Sequence, residues 1–243
     1  MSLITLKDIV VQYKTMDRPA FQCASLEVNQ GEIIAVVGHN GAGKSTMFKV
    51  LGGLDNKYQG TRVLGLASSE IGWCPQREII DWSLTVGQNI ALGYAFKKAV
   101  SRRQITADVN DVCQVLGLSK YQSRTAETLS GGELRRTQIA RAIIGHPQFM
   151  LLDEPTTGLD PEGISIVFGY LQEQVARGAT AVISTHETSR FSAYCTRVIA
   201  IHQGVIIADE SAQDFMRRSP GSDDLWDSYT TLVDNLASGK NHA

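Results

Sequence analysis

Positive charge is in short supply in this sequence. Its 23 Lys and Arg stand against 25 Asp and Glu, a formal net charge of −2, and no long basic block interrupts the balance. The footprint that drives sequence-independent nucleic-acid binding is therefore missing, and no nucleic-acid partner is expected. Cysteine is scarce too. Cys23, Cys74, Cys113 and Cys195 lie far apart, at neither zinc-ligand nor redox spacing, so the expectation is reduced structural thiols and no disulfide scaffold. Long apolar runs are also lacking: Ile33 to Val37 and Phe149 to Leu152 are far too short to cross a bilayer. Met1 to Val10 alternates apolar and polar residues and does not have the basic-then-apolar pattern of a secretory leader. These features predict a cytoplasmic chain, and any work at a membrane needs a partner that supplies the span.

What is there is ordinary globular composition, 43% hydrophobic and 20% charged over 243 residues, enough for one large α/β domain or two small ones. No internal repeat or low-complexity segment stands out. Ile4 to Tyr13, Ala24 to Val28 and the β-branched run Glu32 to Val37 read as strands, with Val63 to Leu64 and Ile71 to Cys74 as shorter ones. From Thr85 to Ile144 the pattern is mainly helical, with polar interruptions near Lys97 to Thr106 and Ser119 to Thr128. Phe149 to Leu152, Thr180 to Ser184, Arg197 to His202 and Val205 to Ala208 return to strand, the last two joined across Gln203-Gly204 as a hairpin. The tail carries Leu225, Trp226, Tyr229, Leu232 and Leu236 at helical spacing, and its end from Ser238 to Ala243 reads as loose.

Gly38-His39-Asn40-Gly41-Ala42-Gly43-Lys44-Ser45 has phosphate-loop spacing and sits where that loop works, between an apolar strand and a helix opening at Ser45-Thr46. Glycines let the backbone turn its N–H groups onto phosphate oxygens, while the positive end of the helix faces the same anions. Lys44 is expected on the β- and γ-phosphates and the Ser45 hydroxyl on Mg²⁺, with His39 and Asn40 filling the loop, so the nucleotide expected here is ATP with Mg²⁺. A second metal partner and a group that positions water are expected at Asp153 and Glu154, which close the apolar strand from Phe149. Taken alone, Asp-Glu-Pro could merely end a strand. Leu129-Ser130-Gly131-Gly132-Glu133 then offers a further helix start with exposed N–H groups, although alone it would read as a flexible turn with an N-cap.

With these three elements, Leu129 to Glu133 standing just upstream of the Asp153-Glu154 strand, the chain resembles the ATP-binding-cassette (ABC) family from roughly Leu3 to Glu210. The resemblance implies an α/β fold: a P-loop NTPase core with a mixed sheet, an antiparallel β subdomain and an inserted helical subdomain. It divides a single domain into a core at residues 1–84 and 145–210, a helical subdomain at 85–144 and a tail at 211–243. It implies that Tyr13 stacks on adenine, that Gln76 touches Mg²⁺ and senses a membrane partner, that Asp160 lies in a loop crossing between subunits, and that His186 contacts the γ-phosphate. Tyr13 as core, Gln76 as a turn residue and His186 as a structural histidine are the plainer alternatives.

The family also implies that two copies sandwich two ATP, each held by the phosphate loop of one copy and Ser130, Gly131 and Gly132 of the other. A membrane permease would dock near Gln76 to Tyr94, with Trp82 as anchor unless that ring is buried in its own subunit, and would hold the chain at the cytoplasmic face of the inner or plasma membrane. An export-type system is expected. The alternative is a non-transport ABC ATPase driving a membrane signalling or remodelling partner, and Glu154 argues against a module that holds ATP without turnover.

Overall fold

Alternation at the start of the chain becomes strand β1, Ser2–Val11, with Leu3, Ile4, Leu6, Ile9 and Val11 buried. The computed structural model describes residues 1–95, 100–186 and 188–238. By internal contacts it falls into two units, Met1–Gly65 with Ile183–Ala243, and Leu66–Val182.

In the first unit β1 pairs antiparallel with β2, Phe21–Asn29, and is followed by β3, Ile33–Val37, every residue of which is buried. The chain then enters helix α1, Lys44–Gly52, and returns as β4, Gln59–Leu64, antiparallel to β1. β1 stops two residues short of the expected Tyr13 because the chain turns there, Met16 N–H donating to the Tyr13 carbonyl at 3.0 Å. α1 packs Met47, Phe48, Val50 and Leu51 inward. Its last turn is met by Arg62 of β4, whose guanidinium donates to the Leu51 carbonyl at 2.7 Å, a cation where the helix dipole is negative.

The second unit opens on β5, Ile71–Cys74, and continues through α2, Val86–Ala91, α3, Arg102–Val115, and α4, Gly131–Ile143. The polar stretch read as an interruption is in part helix: Ser101 caps α3, and the hydrophilic Arg102, Arg103 and Gln104 form its exposed first turn while Val109, Val112 and Cys113 are buried further along. The second interruption holds two single 3-10 turns, Ser119–Tyr121 and Ala126–Thr128. Residues 97–99 of the first interruption and 239–243 of the loose end lie outside the described residues.

β6, Phe149–Asp153, is wholly buried and runs parallel to β5. Buried strands of this kind, apolar from Phe149 to Leu152, suit parallel pairing covered on both faces. Helix α5, Pro161–Ala176, leads to β7, Thr180–Ser184, next to β6 in strand order.

Back in the first unit come the short α6, Thr188–Phe191, then β8, Arg197–His202, and β9, Val205–Ser211. β8 runs parallel to β3, and β8 and β9 form the expected hairpin. Gln203 at φ 49° and Gly204 at φ 84° give the left-handed pair that matches the twist of tightly joined strands. Strand order in this unit is β4-β1-β2-β9-β8-β3, antiparallel at one side and parallel at the other. α7, Ala212–Met216, and α8, Leu225–Ala237, complete it. α8 is the helix expected from the tail spacing, with Leu225 and Tyr229 fully buried and Leu236 on its exposed side.

Candidate functional site

The phosphate-loop residues connect the buried end of β3 to α1. Gly43 is the N-cap of α1 at φ 112°, and a side chain there would put its Cβ 2.5 Å from the Ala20 carbonyl oxygen. Gly38 is packed as tightly, the position of a Cβ lying 2.4 Å from the Ile201 carbonyl oxygen. These two positions take glycine for want of space, which is how the loop can lie so close to its own sheet. Lys44 is buried at 9% exposure, and its ammonium donates to the carbonyls of Gly38 at 2.6 Å and His39 at 3.2 Å. A cation is thus held over the loop at the positive end of α1, with Ser45 and Thr46 half-buried in the same first turn.

Tyr13 lies near that turn. Its hydroxyl donates to Asp55 at 3.1 Å and is also a hydrogen-bond neighbour of Thr46. Partial burial raises its pKa above the usual tyrosine value, Thr46 opposing and the Asp55 carboxylate adding to the shift. His186 follows β7 and is exposed.

The second unit holds the acidic pair and the glycine-rich helix start. Asp153 and Glu154 are each 3% exposed, and Glu154 adopts a left-handed φ of 52°, a cost of order 1–3 kcal/mol for a residue with a side chain. What holds it is Arg135 of α4. Its guanidinium, 8% exposed, donates to four main-chain carbonyls: Pro75 at 3.0 Å, Asp153 at 2.7 Å, Glu154 at 2.6 Å and Pro155 at 3.2 Å. One and two turns further along α4, Gln138 donates to Pro75 and Arg77 at 2.7 and 2.9 Å, and Arg141 to Ile79 at 2.7 Å. The residues around Gln76 and the turn carrying Glu154 are therefore fastened to one helix face. Motif spacing did not reveal these three side chains. Polar residues three apart, on a face that also carries the buried Leu134 and Ala142, were the available signal.

α4 begins at the Ser-Gly-Gly segment. Ser130 is its N-cap in a capping box, its own N–H donating to Glu133 at 2.8 Å and its hydroxyl accepting from the Glu133 N–H at 3.4 Å. The N-cap is present as the plainer alternative had it; a Cβ on Gly131 would meet only open space, while one on Gly132 would stand 3.1 Å from the Gly158 carbonyl. Gln76, Gly131, Arg135 and Gly158 help line a cavity of about 190 Å³ within this unit. Asp160 caps α5, accepting from the Gly163 N–H at 2.8 Å. Trp82 is 49% exposed, whereas Ile80 beside it is buried against Ala126 and Leu134.

All four cysteines are free, and burial pushes the Cys74 thiol up to about 11, which removes it from nucleophilic chemistry near neutral pH. Among the described residues no group of three or more His, Cys, Asp and Glu could hold a metal. The buried Asp153 carboxylate and the Ser45 hydroxyl at the start of α1 are each the kind of oxygen ligand that Mg²⁺ takes.

The chain is similar to known proteins of one family. The family model described as "ABC transporter" matches residues 21–157. The lipopolysaccharide export system ATP-binding protein LptB of Haemophilus influenzae is 31% identical over 227 residues, covering 89% of this chain and 93% of that protein. The methionine import ATP-binding protein MetN 2 of Listeria monocytogenes is 31% identical over 268 residues, covering 98% of this chain and 78% of that protein. Among solved structures, an ATP-binding subunit of an ABC transporter superposes with a TM-score of 0.84 at 25% identity, over 95% of this chain and 99% of that one.

Proposed function

This chain belongs to the ABC transporter family as an ATP-binding, ATP-hydrolysing subunit, and from that premise we propose that it drives a separate membrane-spanning chain from the cytoplasmic face. The observation that carries the reading is the phosphate loop, with the Lys44 ammonium held over its carbonyls at the positive end of α1. In this reading residues 38–46 bind the phosphates and Tyr13 stacks on the adenine. Mg²⁺ would be held by Ser45, Asp153 and Gln76 and, when bound, would neutralise charge on the β- and γ-phosphate oxygens. Glu154 orients and polarises the attacking water, and His186 contacts the γ-phosphate. Burial of Glu154 and the fastening of its backbone by Arg135 support a water-positioning role, because a carboxylate acts on water only from a fixed place.

Two copies close on two ATP, Ser130, Gly131 and Gly132 of each reaching the γ-phosphate held by the other and Asp160 lying in the crossing loop. The open space over Gly131 supports this, since an approaching phosphate needs it. ATP binding closes the pair and loss of phosphate removes the contacts across it, a two-state element that can push on a membrane partner. Among the described residues no helix is long and apolar enough to cross a membrane. The exposed Trp82 in the segment from Gln76 to Tyr94 supports docking of the membrane chain there. Relatives named for export and for import match at the same 31% identity, and the direction proposed in this reading is export.

The test is ATP hydrolysis by the purified chain with Mg²⁺, together with affinity purification of the tagged chain from detergent-solubilised membranes. Turnover and recovery of a chain with several apolar spans support the proposal. No turnover, or recovery of the protein alone, contradicts it.

A further inference from the structure

Helix α8 is seated on the phosphate loop. The Trp226 ring meets that of His39 edge-on, centroids 4.9 Å apart at 85°, and the Tyr229 ring meets His39 at 5.4 Å and 68°. Trp226 and Tyr229 lie 5.2 Å from each other, so three rings form one cluster. The tyrosine is fully buried, and its hydroxyl serves two segments at once. It donates to the Ile201 carbonyl at 3.2 Å at the end of β8, lies 3.3 Å from His202 Nδ1, and accepts from the His39 N–H at 3.5 Å. The Ile201 carbonyl is also the group against which Gly38 packs. One phenol thus joins the His39 N–H of the phosphate loop to the end of β8.

We propose that α8 is a positioning element of the phosphate loop, with Tyr229 and Trp226 the residues that hold His39, so that nucleotide affinity depends on α8 being docked. This rests on the reading of residues 38–46 as the nucleotide site. A loop held in its binding shape presents its N–H groups without first being ordered, whereas a loop left to reorganise must be ordered by the ligand, which lowers affinity. The rings suit the task because edge-on contacts are directional and Tyr229 adds a hydrogen bond to its packing. His39 is exposed and Trp226 half-buried, so the latch lies at the surface, where a partner that lifts α8 would loosen nucleotide binding.

The experiment uses the full chain. Replacing Trp73 and Trp82 by Phe leaves Trp226 as the sole tryptophan of the three. Adding Mg-ADP should then change Trp226 emission, saturating over the same concentrations as ADP binding measured by calorimetry. In the unaltered background Tyr229→Phe, which keeps the ring and loses the hydroxyl, should weaken ADP binding by about threefold to tenfold, the worth of one hydrogen bond. Trp226→Ala should weaken it at least as much and Trp226→Phe should restore it, which loss of fold alone would not produce. ADP binding at wild-type affinity in folded Tyr229→Phe and Trp226→Ala overturns the proposal, as does unchanged Trp226 emission while calorimetry reports binding. If the wild-type chain binds no ADP at all, the phosphate-loop reading falls instead.

Discussion

Arg135 donates through one nitrogen, Nη2, to the main-chain carbonyls of both Asp153 and Glu154, at 2.7 and 2.6 Å. The acidic pair is therefore placed by its backbone as well as by its position at a strand end. The same guanidinium reaches the Pro75 carbonyl, one residue before Gln76, at 3.0 Å. The segment carrying Gln76 and the turn carrying Glu154 thus share one side chain as a hydrogen-bond donor.

Arg135→Lys keeps the charge but replaces a planar fork with a compact ammonium that cannot serve four carbonyls. The variant should fold and bind ATP within about twofold of wild type, while turnover falls about tenfold or more, the carboxylate being displaced relative to the reacting atoms. Arg135→Ala should also lower stability by about 2–4 kcal/mol, because buried carbonyls lose a charged donor. Thermal melts, ATP binding and phosphate release measure the three. Wild-type turnover in folded Arg135→Lys would remove it from the positioning of Glu154.

Lys44→Ala removes the cation over the loop at little cost to the fold, since its carbonyl partners belong to that same loop. ATP affinity by calorimetry should fall about a hundredfold or more, as expected for losing charge-assisted bonds to phosphate. Unchanged affinity in a folded protein would count against the assignment of the loop.

Tyr13→Ala should weaken adenine and guanine nucleotides alike, by about 1–3 kcal/mol, because stacking is indifferent to base identity. Tyr13→Phe loses the hydrogen bond to Asp55 and keeps the ring, so it should bind within about twofold of wild type. Equal binding by the alanine variant would return Tyr13 to a purely structural place.

Trp82→Ala removes a half-exposed ring from the surface, so folding and intrinsic ATP turnover should be unchanged. Recovery of the membrane chain from solubilised membranes should drop, aromatic residues being frequent anchors of interface energy. Normal recovery of the complex would move the docking surface elsewhere.

The parts of the fold legible in the sequence were those written in local chemistry. The strand from Ile33 into a glycine-rich loop, the Gln203-Gly204 hairpin and the helical spacing of Leu225, Trp226 and Tyr229 each declare themselves within a dozen residues. Arg135 did not, because its four carbonyl partners lie 18 to 20 and 60 positions away and a sequence shows no carbonyls. The contact of Tyr229 with His39 spans 190 positions, and neither residue belongs to a motif that names the other. The start of α3 was obscured for a different reason. Its first turn is hydrophilic because it faces solvent, and without an apolar residue periodicity has nothing to register.

Glu154→Gln keeps size and hydrogen bonding and removes the charge that polarises water, so ATP should bind while turnover collapses. With ATP uncleaved, the contacts of Ser130, Gly131 and Gly132 across the pair should persist, and a bulky Ser130→Arg added to this variant should break them. The decisive measurement is light scattering coupled to size-exclusion chromatography on Glu154→Gln, in ATP and in ADP. Glu154→Gln should be a dimer in ATP, a monomer in ADP, and a monomer in both once Ser130→Arg is added. A Glu154→Gln chain that stays monomeric in ATP at high protein concentration would contradict the composite site, and one that turns over ATP at near the wild-type rate would contradict the role of Glu154.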